Sequence, residues 1–454
     1  MTDTEPRTTT RVLADYVADL TVDALPHELV RKVARQCLDL VGVAMAGVDE
    51  PAAAAVRRLA GPAADGDRAT IWGTGTSATR ADAAFANATA AHALDYDDMW
   101  LPGAHPSAPI FPAALAVAEL LGASGGALVT AQAAGYEVMG RLHSSVSGRF
   151  GWHPTGVFGT FGAVAACGRL LGLPGDRMAE AFGIASSMTG GIDGHSGTMT
   201  KPLHAGLAAH AGVRAALLAA DGFTASPAVF DGKRSFFEAF FATTTPQAWR
   251  LTADLGSSFY PLNPGIGIKM YPAGYYMHQT FEATLGIVAD HELSTEDILS
   301  IRIGLTGGRF NRPYPHTSLD AKFSLQYMAA MAVLYRRLTP DLFDESTVHS
   351  DAVRSVLSRI EGYVDPQLPA NPDIAHNPVT VDCVDGRRFT ASVTMPRSHW
   401  RYPLPRADWL AKFRANTTRL DPDTVAELID TFDHLAELPD VRAITALLAR
   451  RSPA

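Results

Sequence analysis

The sequence predicts a mainly α-helical protein with one smaller α+β segment. Through the first 265 residues, apolar side chains recur at helical spacing, as in RVLADYVADL and ELVRKVARQCLDLVGVAMAG. Strand-like alternation is concentrated between residues 266 and 400, and the chain becomes helical again from about Arg406. We therefore predict a helical domain over residues 1–265, an α+β domain over 266–400 and further helices over 401–454.

The composition allows a substantial buried core and argues against several partner classes. The chain has 454 residues, 47% of them hydrophobic, and a formal charge of −9 without a Lys/Arg cluster. Nucleic-acid binding needs a basic footprint, so no nucleic-acid partner is expected. The polar start MTDTEPRTTT has no apolar signal region, and no run approaches the roughly 18 apolar residues of a membrane span. We expect a cytoplasmic protein that does not enter membranes.

The N-terminal helices follow from local patterns. Two helices are predicted between Val12 and Gly47, and PAAAAVRRLAG adds a third. The segment IWGTGTSATRADAA lacks the Gly-Lys-Ser/Thr of a phosphate loop, so Gly75 is assigned to a turn. Later helices, such as GVFGTFGAVAACGRLLGL, are dense in alanine and glycine, which lets helices approach closely.

A glycine-rich stretch, TGGIDGHSG, precedes Lys201 and Pro202. Pro202 is well placed as the first residue of a helix that runs to Gly222. A carboxylate could dock at this helix N-terminus beside Lys201, although the same glycine pairs are ordinary turn formers.

The α+β segment contains a strand and a hairpin. ILSIRIGLT alternates like a strand, and PVTVDCVDGRRFTASVTM predicts a hairpin that turns at Asp385 and Gly386. Helices are predicted near Gly274–Ala289 and Ala321–Arg337.

Ionisable residues are most concentrated in AHALDYDDMWLPGAHPSAPIFPAALAVAE, residues 91–119. Pro102, Gly103 and Pro106 end a helical run and force a loop. The acids of this segment therefore lie where a helix gives way to a loop, the usual place for chemistry.

This segment resembles the signature of the MmgE/PrpD family. The motifs GWHPTGVFGTFGAVAA, GTMTKPLHAGLAAHAG, IKMYPAGYYMHQTFEA, DAKFSLQYMAA and PLPRADWLAKFRAN follow in the order of that family. The resemblance implies that the C-terminal helices return to pack on the first domain and that the α+β domain is a lid. It also implies a homodimer, no cofactor, and a small carboxylated substrate held between helical domain and lid.

The resemblance implies a set of catalytic residues that suits proton abstraction next to a carboxylate. Such chemistry needs a base, an acid and cations that hold the substrate. The matching positions are Asp95, His105, His153, Lys201 and Lys269. Each could alternatively be a structural residue, and their joint presence in the motifs favours function.

Other residues are predicted to contact the substrate or to support the site. The substrate-binding candidates are Met99, Gly274, Tyr275, His204, His278 and Arg312, and the supporting candidates are His92, Asp97 and Asp98. Met99 stands where dehydratase and decarboxylase members commonly have threonine, and Gly274 stands where cis-aconitate decarboxylases have histidine.

The acids and histidines of residues 91–119 could also ligate a divalent ion, but their spacing matches no named metal loop, so no metal is predicted. The resemblance implies a lyase, with dehydration the first expectation. Decarboxylation and epimerisation, as in the iminodisuccinate epimerases of the family, start from the same stabilised carbanion. A non-catalytic carboxylate-binding protein is the remaining alternative.

Overall fold

The computed structural model describes residues 7–64, 66–100, 103–146, 151–243, 246–307, 310–369 and 374–450. Helix dominates this part of the chain and strands are few, which confirms the predicted mainly α fold with a smaller α+β portion.

The N-terminal part is built from helices that pack through small residues. Its helices are α1 (Thr9–Asp19), α2 (His27–Gly47), α3 (Pro51–Arg57), α4 (Arg80–His92), α5 (Ser107–Leu121), α6 (Gly125–Ser144), α7 (Pro154–Leu170), α8 (Gly175–Ser186), α9 (Thr200–Ala220), α10 (Phe236–Phe241) and α11 (Trp249–Thr252). A Cβ on Gly135 of α6 would lie 2.8 Å from the carbonyl of Gly162 on α7, and one on Gly212 of α9 would lie 2.4 Å from Cβ of Ala163. The predicted close approach of these helices is therefore confirmed.

A short antiparallel hairpin lies between α3 and α4. Its strands are β1 (Arg68–Ile71) and β2 (Thr76–Thr79), and Gly75 lies in the turn between them with φ +69°. The predicted turn is confirmed, whereas the two flanking strands were not predicted because they are short and lack clear alternation.

The α+β part contains a four-stranded mixed sheet. Its elements are α12 (Tyr275–Asp290), β3 (Ile298–Leu305), α13 (Ser318–Ala321), α14 (Leu325–Tyr335), α15 (Glu345–Val348), α16 (Asp351–Leu357), β4 (Ile360–Val364), β5 (Val379–Cys383) and β6 (Arg388–Ala391). The strand order is β4-β3-β5-β6, with β3 and β4 parallel and the other pairs antiparallel. Gly386 has φ +89° in the β5–β6 turn, as the predicted hairpin requires.

The last helices are α17 (Arg406–Asn416), α18 (Pro422–Asp433) and α19 (Arg442–Leu448). Phe413 packs on Gly42 of α2, and Lys412 forms a buried ion pair of 2.8 Å with Asp39 of the same helix. One hydrophobic core joins residues of the N-terminal part to these helices, and a second core lies within residues 273–383. The domain boundaries at residues 265 and 400 stay predictions.

Helix α9 is long and apolar enough to cross a membrane by length and composition, contrary to the expectation that no segment reaches that length. Of its 18-residue apolar stretch, 61% is buried within the fold, where the helix packs on α4, α5, α7 and α8. Length and apolar content do not distinguish a buried core helix from a membrane-spanning one. The helix begins at Thr200, two residues before the predicted Pro202.

Candidate active site

The centre of the candidate site is Asp95, in the turn that follows α4. Its φ of +51° lies in the left-handed region, which aspartate tolerates better than most residues. Asp95, Asp97 and Asp98 are all buried, so their charges need partners.

Two buried lysines from distant parts of the chain meet the Asp95 carboxylate. Lys269 Nζ donates to Asp95 Oδ1 and, at 3.0 Å, to the Asp95 backbone carbonyl. Lys201 Nζ, on the first turn of α9, lies 3.1 Å from Asp95 Oδ2. Burial alone would raise the pKa of Asp95, but the Lys201 and Lys269 ammonium groups hold it well below its usual range.

Lys201 differs from Lys269 in its hydrogen bonding. Among the described residues, Lys201 Nζ makes an ion pair with Asp95 but no hydrogen bond, although the atom is buried. Burial lowers the pKa of Lys269, and the Asp95 carboxylate opposes that change. Lys201 therefore has hydrogen-bonding capacity for a further acceptor.

Asp97 lies against two histidines rather than a lysine, and of these His92 forms the hydrogen bond. His92 Nδ1 lies 3.0 Å from both carboxylate oxygens of Asp97, and His105 Nδ1 lies 3.2 Å from Asp97 Oδ2. His105 Nε2 lies 3.6 Å from Asp95 Oδ1, so this imidazole is placed between two carboxylates. Burial, reinforced by Lys269 and Lys201, lowers the pKa of His105 to about 4, despite the opposing charge of Asp97, and the ring is neutral at pH 7.

Asp98 supports the fold rather than the centre of the site. Its carboxylate accepts hydrogen bonds from the backbone and the hydroxyl of Ser107, and the hydroxyl also contacts Tyr136. Burial raises the pKa of Asp98 to about 8, although the Ser107 hydrogen bonds oppose this shift. Asp98 thereby fixes the start of α5 and the loop that carries His105.

His153 and His204 lie on the other side of the cluster. His153 precedes α7 and stacks on His92 at a ring-centroid distance of 5.8 Å. Its Nδ1 lies 3.1 Å from Nδ1 of His204 on α9. Burial and the neighbouring charge of Lys201 hold the pKa of His153 well below its usual range.

Several residues of the α+β part lie next to the site. Met99 pairs through its backbone with Gly267 and packs with Tyr275 and Trp400 in a small apolar cluster. The backbone N–H of Gly274 donates to the Lys322 carbonyl at 2.9 Å, and a Cβ at Gly274 would lie 3.2 Å from the Phe323 ring. That ring lies 5.6 Å from Lys201 Nζ, so position 274 is near the lysine pair.

His278 and Arg312 lie at the edges of the site. His278 Nε2 donates to the Ala273 carbonyl at 3.1 Å, so its Nδ1 accepts from the Ser398 hydroxyl at 2.7 Å. Both ring nitrogens are therefore engaged. Arg312 is half-buried, lies 3.6 Å from Asp320 and donates to the Ser196 carbonyl at 3.4 Å, which links the α+β part to the glycine-rich loop.

The sequence did not single out Lys322, although it lies in one of the quoted motifs. Lys322 is almost fully buried. Its Nζ lies 4.4 Å from the centroid of the Phe343 ring and 3.4 Å from the Pro272 carbonyl. Burial lowers its pKa to about 8, while Glu50 opposes the shift. No local pattern distinguishes a buried lysine from an exposed one, so only the motif could have indicated it.

One subset of the site could hold a metal ion. Ligand atoms of His92, Asp97 and His105 lie within 4.8 Å of one another. Imidazole and carboxylate are suitable ligands for zinc and similar ions. In the described structure His92 is hydrogen-bonded to Asp97, and His105 lies 3.2 Å from the same carboxylate.

The site thus combines buried cations, neutral imidazoles and one apolar wall. Lys201 and Lys269 can neutralise a carboxylate or an enolate, and His105 and His153 can exchange protons with a bound molecule. Such a set suits reactions that form a carbanion next to a carboxylate.

Comparisons with known proteins match the chain to one protein family. The model of the MmgE/PrpD N-terminal domain matches residues 11–248, and that of the MmgE/PrpD C-terminal domain matches residues 271–437. The chain is 32% identical to the cis-aconitate decarboxylase of Homo sapiens over 98% of its own length and 95% of the relative. The Mus musculus enzyme of the same name is 31% identical over 97% and 93%. The 2-methylcitrate dehydratase of Salmonella typhimurium is 25% identical over 89% and 90%.

Proposed function

The chain belongs to the MmgE/PrpD family, and we propose that it is a cofactor-independent lyase that decarboxylates a small carboxylic acid. The sequence alone favours dehydration. The Homo sapiens and Mus musculus relatives named cis-aconitate decarboxylase are 32% and 31% identical to the chain, against 25% for a dehydratase, and this difference moves the proposal to decarboxylation.

The observation that carries the proposal is the buried Lys201 ammonium, which makes no hydrogen bond among the described residues. A buried polar group without a hydrogen bond costs about 1–3 kcal/mol, and more if charged, so an incoming acceptor is strongly favoured. A substrate carboxylate provides both the missing acceptor and the opposite charge. Lys269 is already bonded twice to Asp95 and serves to orient that residue.

In the proposed reaction, the bond between the leaving carboxylate and the α-carbon breaks. The electron pair stays on the α-carbon and is delocalised into a retained carboxylate, which Lys201 holds and neutralises. CO2 leaves, and a proton from His153 completes the product. Each turnover therefore consumes one proton, which the protein must take from solvent.

The apolar cluster of Met99, Tyr275 and Trp400 suits the leaving group. It adjoins the segment of Lys269, because Met99 pairs with Gly267. Apolar surroundings destabilise a charged carboxylate but not neutral CO2. They therefore lower the free-energy barrier for breaking the bond between the α-carbon and the leaving carboxylate.

Dehydration is the second candidate, and the presence of two neutral imidazoles supports it. In that reaction one of His105 and His153 removes a proton and the other protonates the departing hydroxyl. The relatives named 2-methylcitrate dehydratase support the same possibility.

The test is an NMR assay in D2O with a panel of mono-, di- and tricarboxylic acids. Decarboxylation releases CO2 and leaves deuterium on the former α-carbon. Dehydration forms an alkene without CO2, and epimerisation exchanges the α-proton without either change. Absence of all three with every acid would overturn the proposal and favour a non-catalytic carboxylate-binding protein.

A further inference from the structure

Four histidines form a line from the buried site to the protein surface. His92 and His153 have ring centroids 5.8 Å apart, His153 and His204 are 5.2 Å apart, and His204 and His195 are 5.9 Å apart. His92, His153 and His204 are buried, whereas His195 is exposed in the glycine-rich loop. The line therefore connects the proposed reaction centre with solvent.

The central contact of this line is a hydrogen bond between two imidazoles. Nδ1 of His153 and Nδ1 of His204 are 3.1 Å apart, so one carries the proton and the other accepts it. If His204 donates, His153 carries its own proton on Nε2. That nitrogen is then free to protonate a substrate, since Nδ1 is occupied by His204.

The glycine-rich loop holds the His204 ring in place. Gly191 has φ +118°, and a Cβ there would lie 3.0 Å from the His204 ring. A Cβ at Gly156 would lie 3.2 Å from Cβ of His204. Backbone thus packs closely on both sides of this side chain, and the two positions need glycine. The loop therefore fixes the orientation of a histidine, and carboxylate binding at the helix N-terminus beside Lys201 stays a prediction.

We propose that His204 is a proton-transfer residue that passes a proton from solvent, through His195, to His153. The inference rests on the proposed decarboxylation, which consumes one proton in each turnover. One proton enters His204 at Nε2, the Nδ1 proton of His204 moves to Nδ1 of His153, and the Nε2 proton of His153 moves to the carbanion. His195 reaches His204 through one water molecule or by rotation of its exposed ring.

The first test compares His204→Gln with His210→Gln in dilute, poorly proton-donating buffer. His210 lies on the same helix, is half-buried and has its ring near Asp82 at 3.7 Å, outside the line of histidines. We expect His204→Gln to lower kcat about 100-fold while KM changes less than about twofold. Millimolar imidazole should raise the kcat of this variant at least tenfold. His210→Gln should keep wild-type kcat. Wild-type kcat in His204→Gln, or a loss that imidazole does not restore, would overturn the relay.

The second test needs no substrate and separates the relay from the proposed function. NMR of protein with ¹⁵N-labelled histidine measures how fast the ring protons of His153 exchange with solvent. We expect His204→Gln to slow this exchange at least tenfold. Slower exchange in a protein that turns over no acid would leave the relay standing and refute the lyase proposal. Unchanged exchange in an active enzyme would refute the relay alone.

Discussion

Lys269 donates to both the carboxylate and the backbone carbonyl of Asp95, a residue 174 positions earlier in the chain. The double contact fixes the left-handed turn after α4 and ties it to the segment that leads into α12. It also leaves Asp95 Oδ2 directed at Lys201, so one carboxylate is shared by two ammonium groups. This sharing is the basis for assigning anion binding to Lys201 and positioning to Lys269.

The different roles of the two lysines predict different effects on stability. Lys269→Met removes two bonds to Asp95 and leaves its buried carboxylate with one cation, so we expect a loss of about 3–5 kcal/mol in the free energy of unfolding. Lys201→Met also leaves the carboxylate with one cation, but it removes only an ion pair and keeps both hydrogen bonds from Lys269, so we expect a smaller loss. Urea unfolding of both variants measures the difference, and equal losses would contradict the assignment.

His278 predicts a pH dependence of stability. Burial, with a smaller contribution from Lys269, lowers its pKa to about 3, whereas an unfolded chain has a histidine pKa near 6.5. Below about pH 6.5 the unfolded chain binds a proton at this ring while the folded protein does not. The free energy of unfolding therefore falls as the pH decreases from 6.5 toward 3. Between pH 7.5 and 5 the loss from this group is about 2 kcal/mol.

His278→Gln should make the wild-type decrease in unfolding free energy between pH 7.5 and 5 smaller by that amount. His27→Gln, at an exposed position, is the control and should leave the decrease unchanged. Urea titrations at the two pH values provide the measurement. An unchanged decrease in His278→Gln would show that folding does not lower the pKa of this ring.

Local patterns in the sequence were sufficient for the helices, the β5–β6 hairpin and the position of the acids at a helix end. They could not bring Asp95, Lys201 and Lys269 together, because that depends on packing between distant segments, and only the family resemblance grouped them. The resemblance also could not indicate the partners of His278, whose two ring nitrogens bond Ser398 and Ala273; its role in substrate binding stays a prediction. Lys322 was missed because burial of a lysine leaves no local signal.

We predict that cis-aconitate and 2-methylcitrate are poor substrates, because Met99 and Gly274 replace polar groups with apolar or absent side chains. The wild-type kcat/KM for either acid should fall below about 10⁴ M⁻¹s⁻¹, the lower end for ordinary enzymes on their own substrates. The better substrate should carry fewer carboxylates or a bulkier apolar group.

The matched variant for this prediction is the double substitution Met99→Thr and Gly274→His, with Gly274→Ala as a control for space. A Cβ at position 274 meets the Phe323 ring at 3.2 Å, so both variants must shift that ring by a few tenths of an ångström. We expect the histidine variant, and not the alanine variant, to gain activity on cis-aconitate. Efficient wild-type turnover of either acid would defeat the prediction.

Chelation should not affect activity, since the cationic role is assigned to Lys201 rather than to a metal ion. Enzyme dialysed against EDTA is expected to keep its wild-type kcat, with and without added Mg²⁺ or Zn²⁺ at micromolar concentration. Activity that disappears with EDTA and returns with one divalent ion would instead identify His92, Asp97 and His105 as a coordination sphere.

The most direct measurement of the central claim is the kcat/KM for CO2 release by wild type, Lys201→Met and Arg214→Met, on the best acid of the panel. Arg214 is an exposed cation on the same helix and serves as the matched control. The account predicts that Lys201→Met loses at least about 100-fold in kcat/KM, the cost of one charge-stabilising group, with its fold intact. It predicts that Arg214→Met stays within about twofold of wild type. Undiminished kcat/KM in Lys201→Met would contradict the claim that this lysine holds the substrate carboxylate.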